Sequence, residues 1–279
     1  MANFNRLRVG NVELIGLQDT WALLPPEEFF VDLPSDAWER YPREIQDDGR
    51  LLLNVGTWLI ASEAQTILVD TGVGPRPVDF PIQSEPALPA VMAAAGVSPE
   101  EIDVVVFTHL HFDHTGWNAV EREGVATPLF PNARHVVQQV EWDFWMKSEK
   151  RKTAANYPHV LEPVEAAGLF DFVEGEHVVT SDVVTLPTPG HTPGHVSFVV
   201  GSGDERAYVI GDAAHQPVQV AEPSWYIGAD IDPQQAIASR EMLWGRIERE
   251  GALIVSGHFP YPGLGHAVTE NGRRAFRPS

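Results

Sequence analysis

The chain has 279 residues, an apolar fraction of 43%, no cysteine and a formal net charge of −20. The missing thiols exclude disulfides and thiolate metal sites, so any bound metal must be held by His, Asp and Glu. A surface this acidic repels nucleic-acid phosphates and anionic membranes, and no stretch approaches the roughly 18 apolar residues of a membrane span. The start, Met1-Ala2-Asn3-Phe4-Asn5-Arg6, lacks the apolar core of a signal peptide, so a soluble, cytoplasmic protein with a small-molecule partner is expected.

Residues 7–17 alternate loosely around Gly10-Asn11 and predict an opening hairpin. Residues 18–50 read as irregular: Pro25, Pro26 and Pro34 interrupt regular structure, while Trp21, Phe29, Phe30, Trp38 and Tyr41 add large apolar side chains. Such a segment should pack over a pocket or over a subunit interface, the latter implying a homodimer. Residues 51–60 and 66–69 form a strand pair ending in Asp70-Thr71-Gly72. Asp70 reads either as a supporting carboxylate or as an ordinary turn residue. Beyond a proline-rich loop over 75–89, residues 87–95 predict a short helix, and Ser98-Pro99-Glu100-Glu101 has the cap, proline and acids of another helix start.

Residues 103–107 form an apolar strand that runs into Thr108-His109-Leu110-His111-Phe112-Asp113-His114-Thr115-Gly116. Three imidazoles and a carboxylate within six residues suit a divalent cation such as zinc. Further on, 134–138 is strand-like and 141–149 helix-like, with Trp142 and Trp145 at core spacing. A helix is expected over 161–169 and strands near 178–180, 183–186, 196–200 and 207–210. Residues 233–249 form a helix with Ile237, Met242, Leu243 and Ile247 as its apolar stripe, and 252–255 is the last strand. No flexible linker divides the chain, so residues 1–279 read as one domain with two β-rich halves.

Polar groups recur just beyond these apolar strands: His191 in Thr188-Pro189-Gly190-His191-Thr192-Pro193-Gly194-His195, Asp212 in Gly211-Asp212-Ala213-Ala214-His215, and His258 in Ser256-Gly257-His258-Phe259-Pro260. With His109, His111, Asp113 and His114 they make seven candidate ligands. That is too many for one tetrahedral ion and suits two ions sharing a carboxylate.

The set resembles the metallo-β-lactamase superfamily, whose signature is His-x-His-x-Asp-His followed by a distant histidine, a distant aspartate and a final histidine. The resemblance runs from near Leu51 to Pro260. It implies an α/β (α+β) fold, a four-layer αββα sandwich, and two divalent ions, zinc foremost. It assigns His109, His111 and His191 to one ion, Asp113, His114 and His258 to the other, and Asp212 to both. Asp70 becomes a supporting aspartate and His195 a hydrogen-bonding structural residue.

Within the superfamily, residues 139–145 and 257–266 are similar to the methyl parathion hydrolase-like and lactonase group. The second site lacks the cysteine of the commonest zinc β-lactamases. Many acyl-homoserine lactonases place a tyrosine soon after the bridging aspartate; here position 215 is histidine. The resemblance therefore implies a dinuclear zinc hydrolase that opens a lactone or related ester with a hydroxide shared by the ions. Asp113 would guide a proton and His215 would face the pocket. Organophosphate or aryl-ester hydrolysis is the alternative, with β-lactam hydrolysis or an iron oxygenase behind it. Trp225, Tyr226 and the aromatic segment 18–50 are the expected pocket wall, for a neutral, apolar substrate.

Overall fold

The structure, a computed structural model, describes residues 3–279. Strands β1 (Phe4–Val9), β2 (Val12–Leu24), β3 (Leu51–Ser62), β4 (Gln65–Val69) and β5 (Val104–Val106) open the first sheet. A separate hairpin, β6 (Ala119–Arg122) and β7 (Val125–Pro128), follows, and β8 (Arg134–Gln138) and β9 (Phe170–Val173) complete that sheet in the order β1-β2-β3-β4-β5-β8-β9. The second sheet takes its strands in chain order: β10 (Val178–Thr180), β11 (Val183–Pro187), β12 (Val196–Ser202), β13 (Glu205–Val209), β14 (Leu253–Val255), β15 (Leu264–Glu270) and β16 (Arg273–Pro278).

Strand alternation gives each sheet two apolar faces. Leu14, Ile60, Val104 and Val106 point between the sheets, against Phe198, Val200, Val209 and Val255. Their neighbours Ile15, Leu59, Val105 and Phe107 point outward, onto Leu88, Val91 and Met92 of one helix and Trp142 and Trp145 of another. On the far side, Tyr208 and Ile254 meet Leu243, Trp244 and Ile247 of the helix Pro233–Glu250. The result is helix, sheet, sheet, helix, as expected. It explains why Val104-Val105-Val106 is apolar at every position: a central parallel strand is buried on both faces.

Two parallel stretches aim the functional loops. β4, β5 and β8 run parallel, as do β13 and β14, so their carboxyl ends emerge at shared edges. Asp70, the histidine loop, Asp212 and His258 all follow such ends. The two sheets are stitched at this edge, where the main-chain N–H groups of Asn54 and Gly56 on β3 donate to the carbonyls of His258 and Gly257, both at 3.0 Å.

Several expectations are corrected. Residues 18–24 are not irregular: they continue β2 and pair with β3 as far as Leu24 opposite Leu51. A register shift between Gln18 and Thr20 leaves Asp19 bulged, and its carboxylate accepts hydrogen bonds from the main chain of Val73, Ala87 and Leu88 and from the Trp117 indole. The bulge disguised the strand. The helix expected from Ser98 is a single 3-10 turn, Pro99–Glu101, because β5 begins three residues later. The helix expected over 141–149 is two shorter ones, Gln139–Met146 and Glu149–Ala154. In Pro233–Glu250, Met242 is exposed, and Ala236, Arg240 and Trp244 join Leu243 and Ile247 on the buried side. The strands β6, β7, β9, β15 and β16 were not anticipated.

From Pro25 onward the aromatic segment is irregular as expected. Phe30, Trp38 and Tyr41 pack edge-on around Trp225 at centroid distances of 5.8, 5.0 and 5.6 Å. The segment is thereby fastened to the loop that follows Asp212. Among the described residues, no helix is long and apolar enough to cross a membrane.

Candidate metal centre

The histidine loop leaves β5 and turns at once into the short helix Phe112–Thr115. Its return is fixed by close main-chain contact: Gly116 N–H donates to Gly72 carbonyl at 2.7 Å, and a Cβ at Gly116 would lie 1.8 Å from the Val73 carbonyl oxygen. Only glycine fits there. Asp70, at φ 60°, turns its carboxylate back under the loop. It accepts from Thr108 N–H, Thr108 Oγ1 and His114 Nδ1, each at 2.8 Å.

The loop ends converge into two groups. In the first, His109 Nε2 lies 2.8 Å and His191 Nε2 2.9 Å from His111 Nδ1, and Asp212 Oδ2 is 3.2 Å from His191 Nε2. In the second, His114 Nε2 and His258 Nε2 are 3.2 Å apart, and each is 3.7 Å from Asp113 Oδ2. Asp212 joins them, because its Oδ1 lies 3.2 Å from His114 Nε2 and 3.0 Å from His258 Nε2. One carboxylate thus offers one oxygen to each group. Of the six residues around it, His109, His114, His191 and His258 are buried, His111 is partly buried, and the Asp113 side chain is 12% exposed.

The far side of each ring shows what the near side needs. His191 Nδ1 is 2.8 Å from Asp230 Oδ1, His114 Nδ1 2.8 Å from Asp70 and His258 Nδ1 2.8 Å from the Asn54 carbonyl. Each acceptor takes the Nδ1 proton, so in the neutral ring Nε2 presents a lone pair. Those lone pairs then face one another at 3.2 Å in the second group, an arrangement that repels unless a cation lies between them. Asp212 Oδ1, buried among them, has no hydrogen-bond donor of proper geometry. Imidazole and carboxylate donors with oriented outer partners fit two divalent cations.

The electrostatics agree. Burial opposes charge on every ring. At His114 and His258 the nearby Asp212 and Asp113 outweigh it and hold the protonated form above the usual range. At His191, Asp212 and Asp230 do so and lift it to about 9. His109 and His111 are pushed well below their ordinary value by burial and by neighbouring imidazoles. Asp212 is held far below the carboxylate range, burial notwithstanding, by His258, His114 and His109. Three of the five rings are thus held protonated beside the carboxylates, the places where a bound cation would supply the positive charge instead.

The remaining expected residues lie as follows. His195 does not face the groups. Its Nδ1 donates to the Thr188 carbonyl at 3.0 Å, its Nε2 accepts from Asp212 N–H at 2.9 Å, and burial pushes it down to about 3. It fixes the main chain of Asp212. His215 Nε2 is 3.0 Å from Asp212 Oδ2, its ring stacks on His258 with centroids 5.6 Å apart, and its buried Nδ1 has no hydrogen-bond partner. Trp225 is packed inside the aromatic segment, 7% exposed, so it backs that segment instead of forming open wall. Tyr226, half-buried, hydrogen-bonds Asp32. The aromatic rings nearest the groups are Phe29 of the expected aromatic segment, which meets His215 at 5.7 Å, and two from outside it: Trp145 meets His111 at 5.3 Å, and Phe112 of the loop pairs with Phe80 at 5.5 Å. Phe112 stands between two ligand candidates and could have been read from the loop itself.

With a His-x-His-x-Asp-His loop converging on a distant histidine, aspartate and histidine in an αββα sandwich, the match of residues 51–258 to the Metallo-beta-lactamase superfamily decides the family. The chain belongs to the metallo-β-lactamase superfamily. As a member it is 26% identical over 225 residues to N-acyl homoserine lactonase AiiA of Bacillus thuringiensis subsp. kurstaki, covering 74% of this chain and 82% of that relative. Among solved structures it superimposes on the dizinc quorum-quenching lactonase AidC with a TM-score of 0.86 at 22% identity, over 100% of this superfamily member and 98% of that chain. It also superimposes on the hydrolase AbOPH with a TM-score of 0.83 at 27% identity, again over 100% and 98%.

Proposed function

We propose that this superfamily member is a two-metal hydrolase that opens the ring of a lactone, with N-acyl homoserine lactones as its substrate class and zinc as its ion. The observation that carries the reading is Asp212, one oxygen in each of two histidine groups. The lactonase relatives support the substrate class.

His109, His111 and His191 would hold one ion, Asp113, His114 and His258 the other, and Asp212 both. When bound, the ions acidify a water toward neutral pH and polarise a carbonyl oxygen. The chain's own residues do the rest. Asp70, Asp230 and the Asn54 carbonyl orient rings, so little reorganisation is needed as charge develops. His215 restrains Asp212 Oδ2 through its Nε2. Asp113, the most open of the acidic groups, would take the proton of the attacking water and pass it to the alkoxide that leaves as the ring opens. Phe29, Phe80 and Phe112 offer apolar surface to an acyl chain, and Trp225 and Tyr226 brace that wall from behind. We also propose that the chain works as one domain, in the cytoplasm, and that a homodimer is open to test by sedimentation.

Metal analysis and a pH-indicator hydrolysis screen across lactones, aryl esters, phosphotriesters and β-lactams test the reading. Two zinc ions per chain and preferred turnover of acyl lactones are expected. A single iron, or inactivity on lactones with both ions loaded, would overturn it. Preferred turnover of phosphotriesters or aryl esters would replace the substrate class and keep the centre.

A further inference from the structure

The helix Gln139–Met146 carries a carboxylate that the chemistry above does not use. Glu141 is 1% exposed. Its Oε1 accepts from Leu110 N–H at 3.0 Å and from the Trp145 indole N–H at 2.7 Å, and its Oε2 accepts from Gly194 N–H at 2.9 Å. Leu110 sits between His109 and His111, and Gly194 lies three residues after His191. One buried side chain therefore grips both loops that supply the histidines of the first group. Below this grip the loops meet once more, where Val196 N–H donates to the Thr108 carbonyl at 2.9 Å. Glu141 is the tie nearest the ligands.

Two further details show that the contact is built closely. A Cβ at Gly194 would fall 2.4 Å from the Glu141 Cβ, so the loop reaches this distance only as glycine. Trp145, fixed by the same carboxylate one turn along the helix, sets its ring against His111. Burying a carboxylate is costly unless its oxygens are met by donors, and here three N–H groups meet them. An apolar residue with ordinary packing would join the loops at lower cost to folding, but it would not fix the separation of two main-chain N–H groups.

We propose that Glu141 is a positioning residue that sets the distance between the His109–His111 pair and His191, and thereby the metal affinity of the first group but not the second. The proposal rests on the two-metal reading above, and cobalt(II) stoichiometry separates the two: if the unmodified chain binds no cobalt(II), the two-metal reading itself fails.

The test is a chelator-competition titration with cobalt(II) in two backgrounds. His258→Ala leaves the first group to be read, and His191→Ala leaves the second. Glu141→Gln should weaken cobalt(II) in the His258→Ala background by about 10–100-fold, the usual cost of removing an outer partner of a metal ligand. In the His191→Ala background it should change affinity less than about twofold on the same reasoning. Trp145→Phe removes one donor and keeps the loop tie, and should give a smaller loss with the same selectivity. Equal losses in both backgrounds would make Glu141 a general staple and overturn the proposal, as would unchanged affinity in both. If Glu141→Gln does not fold, Trp145→Phe decides by the same criterion.

Discussion

The two histidine groups share Asp212 but are held by different means. In the first group, side chains far along the sequence do the orienting. Asp230 takes the Nδ1 proton of His191, and the buried guanidinium of Arg240 lies 3.9 Å behind Asp230 while donating to the carbonyls of Ala213, Pro223 and Trp225. In the second group the load is divided: Asp70 takes the Nδ1 proton of His114, and the main chain holds His258. His258 leans on the Asn54 carbonyl, inside a strand that is itself bonded to the His258 loop. A carbonyl in a strand cannot be deleted by substitution, whereas a carboxylate can. The first group thus rests on side chains that substitution can remove, and the second is partly built into the sheets.

The largest effect should come from removing what the groups share. Asp212→Ala withdraws a ligand oxygen from each and should lower kcat/KM by about a thousandfold, since polarisation by bound ions supplies several kcal/mol. Metal analysis should find fewer than two ions per chain. An unchanged rate with two ions retained would dissolve the bridge on which the comparison depends.

The unequal supports predict unequal losses. Asp230→Asn keeps an oxygen for His191 but removes the charge, and should cut metal affinity in the first group by about 10–100-fold. It also leaves Arg240 without a counter-charge, at a stability cost of about 3 kcal/mol read by denaturant melts. Asp70→Asn should spread its damage, because Asp70 holds His114 directly and Thr108 beside His109. Chelator competition on both variants checks this. A loss confined to the second group in Asp70→Asn would mean the loop does not transmit strain between groups.

A smaller effect is expected outside the groups. Phe29→Ala should raise KM for long-chain acyl lactones by about tenfold, the worth of a partly buried aromatic face, and leave short-chain substrates nearly unchanged. Equal effects on both chain lengths would place the acyl chain elsewhere.

The histidine loop was legible because it concentrates four of the seven ligand candidates into local pattern: an apolar strand, then ligands, then a glycine that admits the neighbouring loop. Strand parity told which valines face which layer. The supporting carboxylates were not legible. Asp230 reads as a turn residue in Gly228-Ala229-Asp230, and Glu141 as an ordinary helix acid. Nothing local distinguishes an acid aimed at a distant ring from one aimed at water. Glu141 did leave a trace, since it stands four residues before Trp145 and so shares the helix face that two tryptophans mark as buried. The aromatic segment was half legible: its prolines and rings announced packing, but the bulge at Asp19 hid the strand before it. Which aromatic would face the centre depended on Trp225, about 190 residues away, an entropic distance that sequence pattern does not span.

One histidine provides the control for the whole comparison. His135 repeats the orientation seen at His258: its Nδ1 is 3.1 Å from the Ala133 carbonyl, and its buried Nε2 has no partner. Yet its ring lies between Phe107 and Phe170, and no second donor approaches Nε2. Burial pushes it down to about 4. What separates it from His258 is convergence, not tautomer. His135→Leu should therefore leave metal stoichiometry and turnover untouched. Its effect should appear only in acid. Folded His135 stays neutral down to about pH 4, whereas the unfolded chain protonates it near the ordinary value of about 6.5. The unfolded state binds more protons in that window, so the group stabilises fully above pH 6.5 and loses its contribution as pH falls toward 4. The whole swing is on the order of 3 kcal/mol. Denaturant melts of both proteins at pH 7 and pH 5, with chelator present so that metal release does not enter, should show a shallower acid loss for His135→Leu. An identical pH slope would mean that this ring takes a proton inside the folded core, and that burial alone does not keep a histidine neutral here.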